Sequence, residues 1–230
     1  MIDLIDFHSH VLPRADHGSA SVNTSLSQLS MARLAGVSRV FATPHFYPAE
    51  QDVSRFLARR QGSYANLLKE LDDSFPKIAL GAEVLICDNI EALPGIRELC
   101  IEGTDTLLLE LPFNDFDKRY RTSVAALIKQ GINVVLAHAD RYDRANIDSL
   151  LSVGAKIQLN ANSLSGLFVK KHLYEWIDAG LVVGLGSDIH GADKRAYKCF
   201  SSAIRKMGEK RAEKIMTATM EIFSVAADTK

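Results

Sequence analysis

The chain has 230 residues, of which 47% are hydrophobic and 24% are charged, and its formal net charge at pH 7 is −1. Those values are typical of a globular protein with a sizeable core, and they exclude a broad basic surface for nucleic acid. No apolar run approaches the roughly 18 residues of a membrane span, and Asp3 and Asp6 interrupt the N-terminus where a signal peptide would be apolar, so we expect a cytoplasmic protein without membrane insertion.

Short apolar runs alternate with helical patterns along the whole sequence. Seven runs are predicted as strands, at residues 2–7, 37–42, 78–82, 106–111, 132–137, 156–160 and 181–185. Seven helices are predicted at residues 23–35, 53–75, 118–130, 143–153, 170–179, 194–206 and 210–226. Repeated strand–helix units imply parallel strands with right-handed crossovers, and hence an α/β fold. Seven units favour a barrel over an open sheet, although the alternation is compatible with both. No linker interrupts the pattern, so residues 1–230 are predicted to form a single domain.

Histidines and acids follow the predicted strands at a shared structural position. In His8-Ser9-His10 the imidazoles are two residues apart, so an extended backbone projects them from one face. Because the carboxyl ends of parallel barrel strands meet at one rim, nine side chains able to bind metal are expected to converge there. They are His8, His10, His17, His45, Glu83, Glu110, His138, Asp188 and His190. The remaining histidine, His172, lies in a predicted helix and is interpreted as a surface residue.

Nine potential ligands exceed the needs of one ion and suit a cluster of two or three divalent ions. Imidazole and carboxylate without thiolate favour Mn, Fe or Zn. The three cysteines have no C-x-x-C spacing, which argues against a thiolate zinc site and a disulfide framework. For any single residue of the nine, a structural hydrogen bond at a strand end is an equal alternative. Chance, however, would scatter such residues over helices and loops as well.

Two arginines follow proposed ligands closely enough to meet a bound phosphate. Arg141 lies three residues after His138, and Arg195 lies five residues after His190. A planar guanidinium matches the geometry of phosphate oxygens. For each arginine alone, a solvated surface position is the alternative interpretation.

Seven motifs follow one another along nearly the whole chain. They are His8-Ser9-His10, Thr43-Pro44-His45, Gly81-Ala82-Glu83, Glu110-Leu111-Pro112-Phe113, His138-Ala139-Asp140-Arg141-Tyr142, the stretch from Asn160 to Gly166, and Ser187-Asp188-Ile189-His190. Together they resemble the PHP (polymerase and histidinol phosphatase) superfamily. Within it, the Leu-Pro-Phe after Glu110, the Arg-Tyr pair and the Asn-x-x-Ser-Leu-x-Gly stretch are most similar to the bacterial metal-dependent protein-tyrosine phosphatases encoded with capsule and exopolysaccharide genes.

The resemblance implies a distorted (β/α)7 barrel of the PHP type with three metal ions, manganese being favoured over iron or zinc. It assigns the first ion to His8, His10, Glu83 and Asp188, the second to Glu83, Glu110 and His138, and the third to His17, His45 and His190. Arg141 and Arg195 match the family's phosphate-binding arginines. The implied reaction is hydrolysis of phosphotyrosine by metal-activated water without a covalent enzyme intermediate. The implied partner is the tail of a bacterial tyrosine kinase that regulates capsular or exopolysaccharide synthesis.

Two motifs depart from the family pattern. Where the family reads Asp-Asp-Gly, this chain has Asp16-His17-Gly18, so His17 replaces an acid at the third site and Asp16 is an alternative ligand. Where the family reads His-Pro-Glu-Arg-Tyr, this chain has alanine and aspartate between His138 and Arg141. The loss of proline loosens that turn, and the shorter acid changes how Arg141 is held.

Other functions are compatible with parts of the same sequence. Cys199 and Arg205 have the C-x5-R spacing of cysteine-dependent tyrosine phosphatases, but the segment is predicted as a helix without the required loop. A small-molecule phosphatase, such as a histidinol-phosphate phosphatase, is an alternative on the same scaffold, although the short loops favour an open site for a protein tail. A nuclease-like domain or a non-catalytic metal-binding module is the third possibility. Neutral net charge disfavours the nuclease, and the complete ligand set disfavours the inert module.

Overall fold

The computed structural model describes residues 2–113 and 116–227. The strands within those residues are β1 (Leu4–Ser9), β2 (Val37–Ala42), β3 (His45–Phe46), β4 (Lys77–Leu80), β5 (Glu83–Leu85), β6 (Thr106–Glu110), β7 (Asn133–Leu136), β8 (Lys156–Asn160) and β9 (Val182–Gly186). The α-helices are α1 (Val22–Leu34), α2 (Val53–Leu68), α3 (Arg119–Lys129), α4 (Arg144–Leu151), α5 (Ala161–Ser165), α6 (Lys171–Asp178), α7 (Ala196–Met207) and α8 (Glu209–Ala227). Short 3-10 helices lie at Ile90–Ala92, Ile96–Leu99 and Ala139–Arg141. The predicted alternation of strands and helices is confirmed.

All strand pairs are parallel, and they form two sheets. One sheet has the order β1-β2-β4, and the other has the order β3-β5-β6-β7-β8-β9. Parallel neighbours need crossover connections, which the helices supply. Strand pairing within residues 2–113 and 116–227 gives two sheets rather than one closed ring. The α/β class is therefore confirmed, whereas the closed barrel stays a prediction.

The two sheets meet at breaks in two strands. β2 ends at Ala42 and the chain resumes as β3 after Pro44, which has no N–H to donate. β4 ends at Leu80, two residues before the end of the predicted strand at 78–82, and Gly81 and Ala82 separate it from β5, which was not predicted as a separate strand. Backbone hydrogen bonds continue across both breaks: Gly81 donates to the Ala42 carbonyl (2.9 Å), and Glu83 donates to that of Pro44 (3.0 Å). In the resumed register, His45 lies beside Glu83.

The ends of β1 and β9 approach each other although the strands belong to different sheets. The backbone N–H of Asp188, just after β9, donates to the His8 carbonyl over 2.9 Å. A Cβ on Gly184 would lie 2.3 Å from Phe7 Cγ, and one on Gly186 would lie 2.7 Å from His8 Cβ. Only glycine fits at such distances, so these two positions permit the approach that brings the His8 and Asp188 motifs together.

Most helix ends lie within two residues of their predicted positions because local signals fix them. Ser21 caps α1, its hydroxyl accepting a hydrogen bond from the Thr24 N–H (3.2 Å). The helix stops before Gly36, whose φ of 84° is the left-handed conformation expected after a helix. The five-residue α5 was not predicted.

Helix α2 is shorter than predicted, ending at Leu68 instead of residue 75. Apolar spacing continues beyond Leu68, but polar residues redirect the backbone. The Asp72 carboxylate accepts a hydrogen bond from the Ser74 N–H (2.8 Å) and forms a turn. Pro76 also disfavours a helical conformation in the residue before it.

Apolar side chains of strands and helices form one continuous core. Phe7 and Phe41 pack with ring centroids 5.1 Å apart, and Phe41 contacts Phe223 of α8 at 5.2 Å. Such a close-packed interior holds the strand ends rigidly. No helix in the described part of the chain is both long and apolar enough to span a bilayer.

Candidate metal centre

The nine side chains predicted to converge do lie together at the carboxyl ends of the strands. They come from the ends of β1, β6, β7 and β9, from the first residues of β3 and β5, which follow the breaks after β2 and β4, and from the loop that precedes α1. Each contacts at least one other member, either as a nitrogen–oxygen pair within 4 Å or as a ring pair. We call the set the strand-end cluster; its members are His8, His10, His17, His45, Glu83, Glu110, His138, Asp188 and His190.

Glu83, on β5, lies at the middle of the strand-end cluster. Its Oε2 is 3.2 Å from His8 Nε2, 3.3 Å from His10 Nε2 and 2.9 Å from His45 Nδ1. Its Oε1 is 2.7 Å from His138 Nε2. Burial alone would raise the pKa of Glu83, but the charge of His8 and hydrogen bonds from the other imidazoles hold it well below its usual range. The carboxylate is therefore ionised and shared among four imidazoles.

Asp188 forms the second anionic point. Its Oδ1 is 3.3 Å from His10 Nε2, while its Oδ2 accepts hydrogen bonds from Asn160 Nδ2 (3.0 Å) and from the Arg141 guanidinium. Burial opposes ionisation, but the hydrogen bond to His10 and the neighbouring cations lower the pKa of Asp188. The ion pair with Asp188 thus attaches Arg141, a residue predicted to bind phosphate, directly to the cluster.

Two members of the cluster have left-handed backbone conformations that are unusual for residues with a Cβ. The φ of His138 is 32°, and that of Asp188 is 51°. Such conformations cost on the order of 1–3 kcal/mol and concentrate at functional sites. The surrounding hydrogen bonds hold both residues in place.

A third group consists of the rings of His17, His45 and His190, which pack against one another and against His10. His17 stacks on His45 and His190 with centroids 4.8 and 4.7 Å away, and His10 lies 4.1 Å from His190. Burial and the nearby charge of His10 lower the pKa of His190 to about 4, so its ring is neutral at pH 7. Neutral imidazole is the form that binds metal.

Asp16 and His17, the two alternative ligands for this third group, have different surroundings. The Asp16 carboxylate accepts hydrogen bonds from His10 Nδ1 (2.7 Å), from the Gly18 N–H (2.8 Å) and from the His45 N–H (3.0 Å). It therefore orients the His10 ring from behind, whereas His17 faces the other imidazoles.

Sequence reasoning missed several polar residues that position the cluster. Buried Gln158 on β8 accepts a hydrogen bond from the His138 backbone N–H (2.6 Å), and its Oε1 lies 3.2 Å from His8 Nδ1. Its Nε2 donates to Asn160 Oδ1 over 2.9 Å. Tyr142 Oη lies 3.3 Å from His138 Nδ1. Amide side chains at alternate positions of an otherwise apolar strand were the available signal for Gln158 and Asn160.

The buried atoms of this cluster fit divalent cations. Potential ligand atoms lie within 4.8 Å of one another in three groups: His8, His10 and Asp188; His45, Glu83 and Glu110; and His10, His45 and His190. His190 Nε2 is buried without a protein hydrogen-bond partner, and His45 Nδ1 and Glu83 Oε2, although 2.9 Å apart, are not aligned for a hydrogen bond. Leaving such atoms without a partner costs on the order of 1–3 kcal/mol each. A cation among them would supply the missing interaction.

The remaining residues named from the sequence lie as follows. Arg141 lies beside Asp188 with 38% of its side chain exposed, so it remains accessible from solvent. Arg195 is exposed at the start of α7, and its backbone N–H donates to the Asp193 carboxylate (2.8 Å). Cys199 lies within α7, as predicted, and not in a phosphate-binding loop.

A parallel α/β scaffold that presents clustered imidazoles and carboxylates at its strand ends is the arrangement of metal-dependent hydrolases. The chain belongs to the capsular polysaccharide synthesis CpsB/CapC family, whose sequence profile matches residues 4–223.

Named relatives share nearly the full length of the chain. The tyrosine-protein phosphatase CpsB of Streptococcus pneumoniae is 26% identical, with 92% of this chain and 94% of that protein aligned. CpsB of Streptococcus agalactiae is 24% identical over the same shares. A crystal structure described with YwqE from Bacillus subtilis and CpsB from S. pneumoniae as metal-dependent tyrosine phosphatases has a TM-score of 0.77 and 21% identity. It aligns with 99% of this chain and 95% of that one, and shows the same fold.

Proposed function

We propose that this protein is a metal-dependent protein-tyrosine phosphatase that acts on a tyrosine kinase controlling capsular or exopolysaccharide synthesis. The observation that carries the proposal is the cluster of imidazoles and carboxylates centred on Glu83. Membership of the CpsB/CapC family and the names of the full-length relatives supply the reaction and its biological setting. A cytoplasmic location is part of the same proposal.

We propose that the strand-end cluster holds two or three divalent ions, with manganese favoured over iron and zinc. His8, His10, Glu83 and Asp188 would hold the first, Glu83, Glu110 and His138 the second, and His17, His45 and His190 the third. The short distances from Glu83 to four imidazoles support a bridging role for this carboxylate. The three hydrogen bonds at Asp16 support His17 as the ligand of the third ion.

Bound divalent ions would supply Lewis-acid polarisation of the phosphoryl group and a water of lowered pKa. The protein's own residues do the remaining work. Asp188, which also accepts a hydrogen bond from Asn160, holds Arg141 beside the cluster. The other N–H groups of the Arg141 guanidinium can bind non-bridging phosphate oxygens. Arg195 would bind the same phosphate from the start of α7. Asp16, Gln158 and Tyr142 keep the imidazoles oriented.

The proposed architecture around this site is a distorted seven-stranded barrel. The hydrogen bonds across the β2/β3 and β4/β5 breaks support reading each pair as one bent strand. The close approach of β1 to β9 supports treating these two strands as neighbours, which would close the barrel. Seven strands then surround the core, in agreement with the seven apolar runs of the sequence.

The proposal is tested by measuring turnover of a phosphotyrosine peptide, histidinol phosphate and single-stranded DNA by one protein preparation whose metal content is also measured. We expect hydrolysis of a phosphotyrosine peptide, abolition by excess chelator and recovery on addition of Mn²⁺. Histidinol phosphate and single-stranded DNA represent the competing small-molecule and nuclease activities, and preferred turnover of either would reject a tyrosine phosphatase. Activity that persists in chelator would reject the metal mechanism.

A further inference from the structure

A cavity of about 300 Å³ lies beside the strand-end cluster. Arg141 and Arg195, the arginines proposed to bind phosphate, do not line it. His17 and His45 of the cluster line it together with Arg55 and Arg59 of α2. Tyr47, which stacks on His45 with centroids 5.3 Å apart, forms part of its wall. His17 and His45 belong to the strand-end cluster and also line this cavity. A substrate bound at the cluster therefore has room to extend into the cavity.

The two arginines at this cavity differ from the adjacent Arg60 in their side-chain partners. Within residues 2–113 and 116–227, neither guanidinium forms an ion pair, and Arg59 Nε is buried without a hydrogen-bond partner. The adjacent Arg60 differs: its guanidinium donates to the Gly81 carbonyl and to Glu102, both over 2.9 Å. Arg60 is thus a structural residue. Arg55 and Arg59, which line the cavity, have guanidinium N–H groups available to donate hydrogen bonds to a ligand.

The position of these arginines on α2 is unfavourable for the helix itself. Arg55 lies in the first turn, close to the positive end of the helix dipole, where the carboxylate of the N-cap residue Asp52 accepts a hydrogen bond from the Arg55 backbone N–H (2.7 Å). Arg55 and Arg59 are one turn apart, where like charges repel. An anion between the two guanidinium groups would offset that repulsion.

The acidic side chains of the cavity do not supply that anion. Asp16 is engaged by His10 and two backbone N–H groups. Glu50 lines the cavity but is exposed and forms no ion pair with either arginine. The guanidinium groups of Arg55 and Arg59 therefore remain available to an anion beside the strand-end cluster.

We propose that Arg55 and Arg59 form a specificity subsite that binds an acidic side chain of the protein substrate, within about three residues of the phosphotyrosine. This inference rests on the proposed phosphatase function. The planar guanidinium groups bind a carboxylate through charge-assisted hydrogen bonds. The subsite selects substrates by their flanking sequence and does not contact the phosphoryl group that is removed.

The test compares two phosphotyrosine peptides of equal length whose flanking residues are either Glu or Gln. For the wild-type holoenzyme we expect a KM about tenfold lower for the Glu peptide with similar kcat, the effect of one charged hydrogen-bonding pair. In Arg55→Gln/Arg59→Gln this KM ratio should fall to about one. Arg55→Lys/Arg59→Lys, which keeps the charge without the planar fork, should retain part of it. Arg33→Gln, which removes an exposed cation of α1, is the matched control and should keep the full ratio.

A binding measurement separates this subsite from the phosphatase proposal. Fluorescence anisotropy with the same peptides carrying a non-hydrolysable phosphonate in place of phosphate should give the same Glu preference and the same loss. Absence of turnover for both peptides and for para-nitrophenyl phosphate would reject the phosphatase function, while the anisotropy ratio would still decide the subsite. Equal affinity of both peptides for the wild type, or an unchanged preference in the double Gln variant, would overturn the subsite. A collapse of kcat on para-nitrophenyl phosphate in that variant would also overturn it, by placing the arginines on the scissile phosphate.

Discussion

Asp16 illustrates how one residue's role depends on partners distant in sequence. From the sequence, Asp16 and His17 were alternative ligands because together they stand where the resembled family has two acids before a glycine. The structure places the Asp16 carboxylate behind His10, where it orients the ring, and places His17 between two other imidazoles. Adjacent residues cannot be separated by spacing alone, since a loop can turn either side chain inwards.

Substitution of Asp16 and of His17 should therefore give different results. We expect Asp16→Ala to weaken metal binding about 10- to 100-fold, the usual effect of removing a group that orients a metal ligand, without changing the number of ions at saturation. His17→Ala should remove one ion per chain. Metal titration with elemental analysis measures both quantities. Loss of a whole ion in Asp16→Ala together with full occupancy in His17→Ala would reverse the assignment.

The pKa of His138 gives metal binding a definite pH dependence. Burial lowers this pKa, but hydrogen bonds to Glu110 and Glu83 outweigh burial and raise it to about 9. A metal ion must displace that proton, so metal affinity should rise with pH up to about 9, by as much as about tenfold per pH unit for one proton. Competition titrations with Mn²⁺ at several pH values below 9 measure the slope. In His138→Ala the slope should decrease, and a flat wild-type profile would contradict the proton displacement.

At the scale of elements, the sequence predicted strands and helices well and the joints between them poorly. Apolar runs and helix-stopping glycines are local signals, and Gly36 ends α1 as expected. The breaks at Pro44 and Gly81 lie where the chain leaves one sheet and enters the other. No local sequence pattern predicts that position. The approach of β9 to β1 likewise depends on residues nearly the whole chain apart.

Two glycine substitutions test that close approach. Gly184→Ala would place a Cβ 2.3 Å from Phe7 Cγ, so β9 must move, and we expect a loss of about 1–3 kcal/mol in the free energy of unfolding. A Cβ on Gly62, in α2, would meet no other atom within 4 Å, so Gly62→Ala should stabilise the protein by about 0.5–1 kcal/mol. Urea unfolding of both variants measures the difference. A neutral Gly184→Ala would show that β1 and β9 are not tightly packed.

At the scale of the whole molecule, the strand-end cluster joins the two sheets. His8 belongs to the sheet of β1, whereas Glu83 belongs to the sheet of β5, and their side chains lie 3.2 Å apart. The sequence predicted this convergence because the ends of parallel strands meet at one rim. It could not predict that the cluster lies where the sheets meet, since pairing order is a property of the folded chain.

Metal binding should therefore stabilise the entire fold and not only the site. A ligand that binds only the native state at a hundred times its Kd contributes about 2.7 kcal/mol, which for a chain of this size corresponds to a rise in Tm of about 5–10 °C. We expect chelator to lower the Tm by that amount and added Mn²⁺ to restore it, as measured by differential scanning calorimetry. His138→Ala should reduce the metal-dependent shift, because it removes an imidazole 2.7 Å from Glu83. His172→Ala is the matched control: that ring packs on Trp176 of α6, outside the cluster, so its variant should keep the full shift. A Tm that is insensitive to chelator, or an undiminished shift in His138→Ala, would mean that the two sheets hold together without help from bound metal.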